Sequence, residues 1–258
     1  MDTRFVHRLR GIGVAAAALA TLLVPVQVAS QLGYPVQALA APYLTATRQG
    51  HVLLLRLAAL GAGAATLRGI PGTGLAGQAV QGLLAGAIVI TVGLTGHAGV
   101  RPDLMVAHAL HLGGALTWGG GLAVLASLPD RPGLGPGRVE AIRRFSSVAA
   151  GIFPVVLAAG AYLGYSLGGS WKAWPGSSYG RWLMIKALAV ILLAAAAAVN
   201  RWRRLPLAVR AASDAGQGEA AWRRLRHSVQ VEAALLMGVL ALTAVLAGQA
   251  PPALQARP

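Results

Sequence analysis

Cysteine is absent from this chain, and only 7 of its 258 residues are Asp or Glu. Without cysteine there is no disulfide, no thiolate metal site and no thiol redox chemistry, so soft-metal binding would fall to His, Met or the backbone. Charged residues of either sign make up 11% of the chain, against roughly a quarter in ordinary soluble domains. No catalytic set stands out. Asp103 is the lone acid of its region, and the serines lack a nearby base. No glycine-rich turn follows a strand and opens a helix, as a phosphate-binding loop would require.

Apolar sequence fills the space. Hydrophobic residues account for 56%, there are 34 glycines, and the mean hydropathy is positive. Small residues in such number suit close helix packing in lipid. The expected fold is all-α: a single transmembrane domain over 1–258, built as a polytopic helical bundle. Runs of about 17–25 apolar residues can cross the hydrocarbon core. Seven are expected, at roughly 11–30, 51–67, 77–97, 104–128, 147–168, 180–200 and 231–249. Pro42 is assigned to a connection, Pro25 and Pro154 to spans that they kink, and Ser213–Glu219 to a flexible polar loop.

The net charge of +15 comes from 22 basic and 7 acidic residues. A surplus of this size can signal nucleic acid. Here, however, the arginines cluster between hydrophobic runs: Arg4, Arg8 and Arg10; Arg131, Arg138, Arg143 and Arg144; Arg201 through Arg226. The positive-inside rule and anionic membrane lipid explain that distribution, and no nucleic-acid partner is expected. The same rule puts the N-terminus in the cytoplasm and the C-terminus outside. The first run also has the basic head and small residues of a signal peptide. Its length favours a retained helix.

This topology gathers the histidines. His51, His97, His108 and His111 fall in one layer on the outer side, with Met105 one turn above His108. Positions 108 and 111 share a helix face, and a short connection lets His97 fold back toward it. Imidazole binds copper, zinc and iron, and a thioether adds a preference for Cu(I). Plainer roles stay open: a solvated interfacial group for His51, a helix-end cation for His97, a hydrogen-bonded polar pair for His108 and His111, and packing for Met105. Three more polar residues lie in or near spans. Arg56 and Lys186 can snorkel to the surface or meet an anion. Glu232 is expected to pair with an arginine such as Arg201, with a proton or cation relay as the alternative. Trp118 and the glycines after it are read as packing.

The order of several short motifs resembles the CopD copper-resistance family. They run from Thr47-Arg48-Gln49-Gly50 and Leu53-Leu54-Leu55-Arg56 through Thr95-Gly96-His97-Ala98 and Leu110-His111 to Trp118-Gly119-Gly120-Gly121-Leu122. Arg144-Phe145-Ser146, Tyr179-Gly180-Arg181 with Lys186, Asn200-Arg201 and Arg224-Leu225-Arg226 through Glu232 to Pro251-Pro252 continue it, so that the CopD-like region spans roughly 45–252. The resemblance implies a non-enzymatic protein of the plasma (bacterial inner) membrane for copper transport or tolerance, with His97 and His111 as the first site residues. The Met-rich or His-rich outer domain of some relatives is not seen, which leaves two routes: direct capture of copper, or receipt from a periplasmic or extracellular copper carrier as partner. Ala109-Leu110-His111 through Trp118, with Lys186, is also similar to HemJ-type protoporphyrinogen oxidase. That likeness implies haem b on His111 and a membrane oxidoreductase. A copper-delivery accessory factor is the remaining alternative.

Overall fold

A computed structural model describes residues 3–69, 74–96, 99, 101–128, 136–211, 215–249 and 251–252. Among these the regular structure is entirely helical, as expected. Six helical stretches are long and apolar enough to cross a membrane: Gly11–Ser30, Leu75–Thr95, Pro102–Ala126, Val139–Gly168, Ser178–Ala211 and Gly218–Ala247. The protein is a multi-pass membrane protein. The seventh expected span, 51–67, falls in a 22-residue helix that is outside the six; Arg56 lies within it.

The chain divides into two compact units, Met1–Ala109 and Leu110–Pro258. The first unit begins with α1 (Thr3–Leu22) and α2 (Val24–Leu32). Pro25 sits in the first turn of α2, where a helix needs no N–H, so the helix is interrupted only at Leu23 and Gly11–Ser30 remains one stretch. Gly33 ends α2 in the left-handed conformation, at φ 70°. Next comes α3 (Val36–Ala46), with Pro42 inside it. This corrects the assignment of Pro42 to a connection.

In α4 (Arg48–Gly69) the first turn is capped by Thr47, whose hydroxyl accepts from Gly50 N at 2.9 Å. A Cβ at Gly50 would lie 2.0 Å from the Tyr43 carbonyl oxygen. The α3–α4 corner therefore closes backbone against backbone, which accounts for the Thr47–Gly50 motif. The unit continues with α5 (Leu75–Thr95) and the first part of α6 (Pro102–Ala126).

The second unit takes the rest of α6, then α7 (Pro136–Gly168) and α8 (Ser178–Val199). Pro154 leaves α7 a single helix. At the start of α8, Ser177 accepts from Gly180 N at 3.0 Å, and a Cβ at Gly180 would meet Trp174 O at 2.3 Å. Next come a π-helical segment (Asn200–Arg204), α9 (Leu205–Ala211) and α10 (Ala215–Ala247). Glu219 belongs to α10 and pairs with Arg223 one turn on, at 2.5 Å. This corrects the loop expected over Ser213–Glu219; 213 and 214 lie outside the described residues. Leu122, Leu125, Leu205, Trp222 and Leu225 form one buried cluster, and Trp118, Leu193 and Val239 a second. Glycines in α6 allow this packing: a Cβ at Gly121 would sit 2.2 Å from the Phe145 ring. Trp118 meets Phe153 edge to face, with centroids 5.5 Å apart.

Candidate metal and ion sites

In the first unit α5 is used on two roughly opposite faces. One holds Thr91 and Thr95, four apart and therefore stacked. Arg56 reaches them from α4: Nε donates to Thr91 Oγ1 at 3.2 Å, and Nη2 donates to the Thr91 carbonyl at 2.6 Å and to Thr95 Oγ1 at 2.8 Å. Its residue exposure is 8%. Arg56 therefore does not snorkel. It clamps α4 to α5, with neutral oxygens as its acceptors. Sequence reasoning missed this because the partners lie on another helix.

Gly93 marks the other face. A Cβ there would lie 2.6 Å from Met105 Sδ and 3.1 Å from His108 Cδ2. The thioether and the imidazole, one turn apart on α6, thus crowd the same point on α5. Both residues are half-buried. His97 lies outside the described residues. Asp103 has Arg101 as its partner, with Arg101 Nε donating to Asp103 Oδ1 at 3.0 Å.

The other two layer histidines each use a ring nitrogen on a backbone carbonyl. His51 is exposed, and its Nε2 donates to Thr45 O at 2.8 Å, serving a carbonyl in the last turn of α3. In the second unit, His111 Nδ1 donates to Val156 O of α7 at 2.8 Å. The ring rests where a Cβ at Gly160 would come within 2.7 Å of its Cε1. This arrangement fixes the tautomer and keeps the Nε2 lone pair free for a metal in chemical terms. Lys186 lies close enough to His111 for their charges to interact. Among the described residues, no group of three or more His, Cys, Asp or Glu side chains could hold a metal ion. The expected four-histidine layer is thus represented by one Met–His pair and two histidines with separate backbone partners.

Glu232 is 4% exposed, in the second unit. Its partner is Asn200, whose Nδ2 donates to Oε2 at 2.7 Å, and the Trp118 indole is a further hydrogen-bonding neighbour. The expected pairing with Arg201 does not form. Arg201 instead donates through Nη1 to Ser146 O at 2.6 Å and to Ser146 Oγ at 2.8 Å. Consecutive helical residues point about 100° apart, so one position decides which of the two meets α10. The π segment begins at Asn200, and such segments are frequent at functional sites. Arg201 also lines an open cleft of about 250 Å³ with Arg143, Ser146, Ser147, Trp202 and Leu205.

Residues 139–246 match the family model of copper resistance protein D (CopD). The matched stretch runs from α7 into α10 and contains Lys186, Asn200 and Glu232. It begins after His51, His97, Met105, His108 and His111, and covers less than the 45–252 expected. No curated protein and no solved structure matches the chain.

Proposed function

We propose that this protein handles copper at the plasma membrane, in transport or tolerance, and is not an enzyme. The observation that carries this reading is the copper resistance protein D match over 139–246. The proposed entry point lies in the first unit. Met105 and His108 supply a sulfur and an imidazole donor at Gly93, a pairing suited to Cu(I). His97, four positions after Gly93 in sequence, is the proposed third donor. On the seven-span topology read from the arginines, in which 51–67 also crosses, these donors open to the outer side, where a soluble carrier could deliver copper. A site with two or three exchangeable donors suits passage, because transport needs release as well as capture. His111, through Nε2, is a separate candidate donor.

The test is metal analysis with an optical spectrum on the detergent-purified full chain. Copper at defined stoichiometry is expected, and Met105→Leu with His108→Ala should remove it while the helical content stays unchanged. Copper retained in that double variant would remove the proposed entry point. A Soret band in place of copper would favour haem on His111.

A further inference from the structure

We infer that Glu232 is a proton-exchanging carboxyl inside the second unit, with the Asn200 amide as its two-way partner. Three observations converge. First, Glu232 is almost wholly buried in an apolar bundle, and none of the ion pairs among the described residues includes it. A buried carboxylate without a cation is costly, and taking up a proton relieves that cost. Second, Asn200 is itself 8% exposed and offers both kinds of hydrogen bond. Its Nδ2 donates to the carboxylate, while its Oδ1 is buried without a partner. A protonated Glu232 needs an acceptor for its new O–H, and Asn200 carries an unused one in the same amide. Third, the next residue, Arg201, lines the open cleft with Arg143 and two serines. Within one residue the chain thus passes from the buried amide to a side chain on that cleft.

The surrounding elements carry further charged groups. On α8 and the π segment, Arg201 is turned to Ser146, and Lys186 lies about 21 Å along the helix axis from Asn200, at ~1.5 Å per residue. On α7, Glu140 is paired with Arg144, 2.6 Å away. The π segment also carries Arg203 and Arg204, and α9 carries Arg210. On α10 the titratable neighbours are Arg226 and His227, with the buried hydroxyl of Ser228 one turn before Glu232. From α6 comes the neutral Trp118 indole.

The step balances simply. A hydronium ion gives its proton to a Glu232 oxygen and leaves water, and the carboxyl O–H then donates to Asn200 Oδ1 after the amide turns. Release reverses both. Coupling of this exchange to copper movement rests on the function proposed above; the exchange itself does not.

Infrared difference spectra of the purified full chain, titrated across roughly pH 5 to 9, test the exchange. The wild type should show a carboxylic-acid carbonyl band that titrates and is missing in Glu232→Gln. Asn200→Leu, which keeps the carboxyl but removes its acceptor, should shift that band. Identical titration spectra in wild type and Glu232→Gln, or an unmoved band in Asn200→Leu, would overturn the assignment. In liposomes with an enclosed pH dye, copper entry should move protons in the wild type and not in Glu232→Gln. Copper entry with equal proton signals in both would overturn the coupling. No copper entry in the wild type would defeat the function proposed above and leave the infrared result to decide the exchange.

Discussion

In the first unit a buried guanidinium meets two threonines of α5, with a thioether and an imidazole against the other face of the same helix. In the second a buried carboxylate and amide are set among apolar clusters built on Trp118, Leu122, Leu193, Trp222 and Leu225. The CopD match lies wholly in the second unit. The Met–His pair therefore lies in one unit and the family match in the other. The unit that carries the family signature has the larger apolar core and a candidate proton site. The unit outside it carries the Met–His pair.

Substitutions at glycine test this separation, because each adds one methyl group at a known contact. The largest effect is expected at Gly50. A Cβ there would lie 2.0 Å from Tyr43 O and 2.5 Å from Leu44 Cα, both backbone atoms. No rotamer change relieves that clash, so Gly50→Ala should cost at least the upper part of the usual overpacking range of about 1–3 kcal/mol. Limited proteolysis should then open the α3–α4 corner first.

Gly121→Ala comes next. The contact is with the Phe145 ring at 2.2 Å, a side chain that can shift but is held in the core. A loss of about 1–3 kcal/mol is expected in denaturant titration, with copper stoichiometry unchanged. Loss of copper in this variant would break the proposed division between halves.

The smallest change in stability is expected at Gly93. The methyl would meet Met105 Sδ, the flexible end of its side chain, at 2.6 Å. Gly93→Ala should cost about 1 kcal/mol yet weaken copper binding, because it fills the point on which Met105 and His108 converge. Full copper affinity in this variant would count against that point as the entry site.

Much of the fold was legible because lipid imposes long apolar runs, and six of these became helices long enough to cross a membrane. Less regular elements were harder to read. The helix α3 was missed because an 11-residue segment with Pro42 inside it reads as a connection. The start of α10 was missed because Gly216 and Gly218 resemble loop sequence, although Glu219 and Arg223 already have the spacing of a helical pair.

At the candidate sites, residue types could be read and partners could not. Arg56 was noticed as an oddity in an apolar helix, but Thr91 and Thr95 gave no sign that they faced it. Glu232 was assigned to Arg201 on charge alone, whereas one residue of rotation at the π segment gives it to Asn200. His108 and His111 share a helix face by spacing, yet one crowds Gly93 and the other bonds the Val156 carbonyl. A difference of about 60° around a helix is enough to give two side chains different neighbours.

The most direct test of the central claim is X-ray absorption at the copper edge on the copper-loaded, purified full chain. A sulfur and an imidazole scatterer are expected in the wild type, with the sulfur lost in Met105→Leu and the imidazole contribution reduced in His108→Ala. A copper environment without sulfur in the wild type, or one unchanged by both substitutions, would contradict the account.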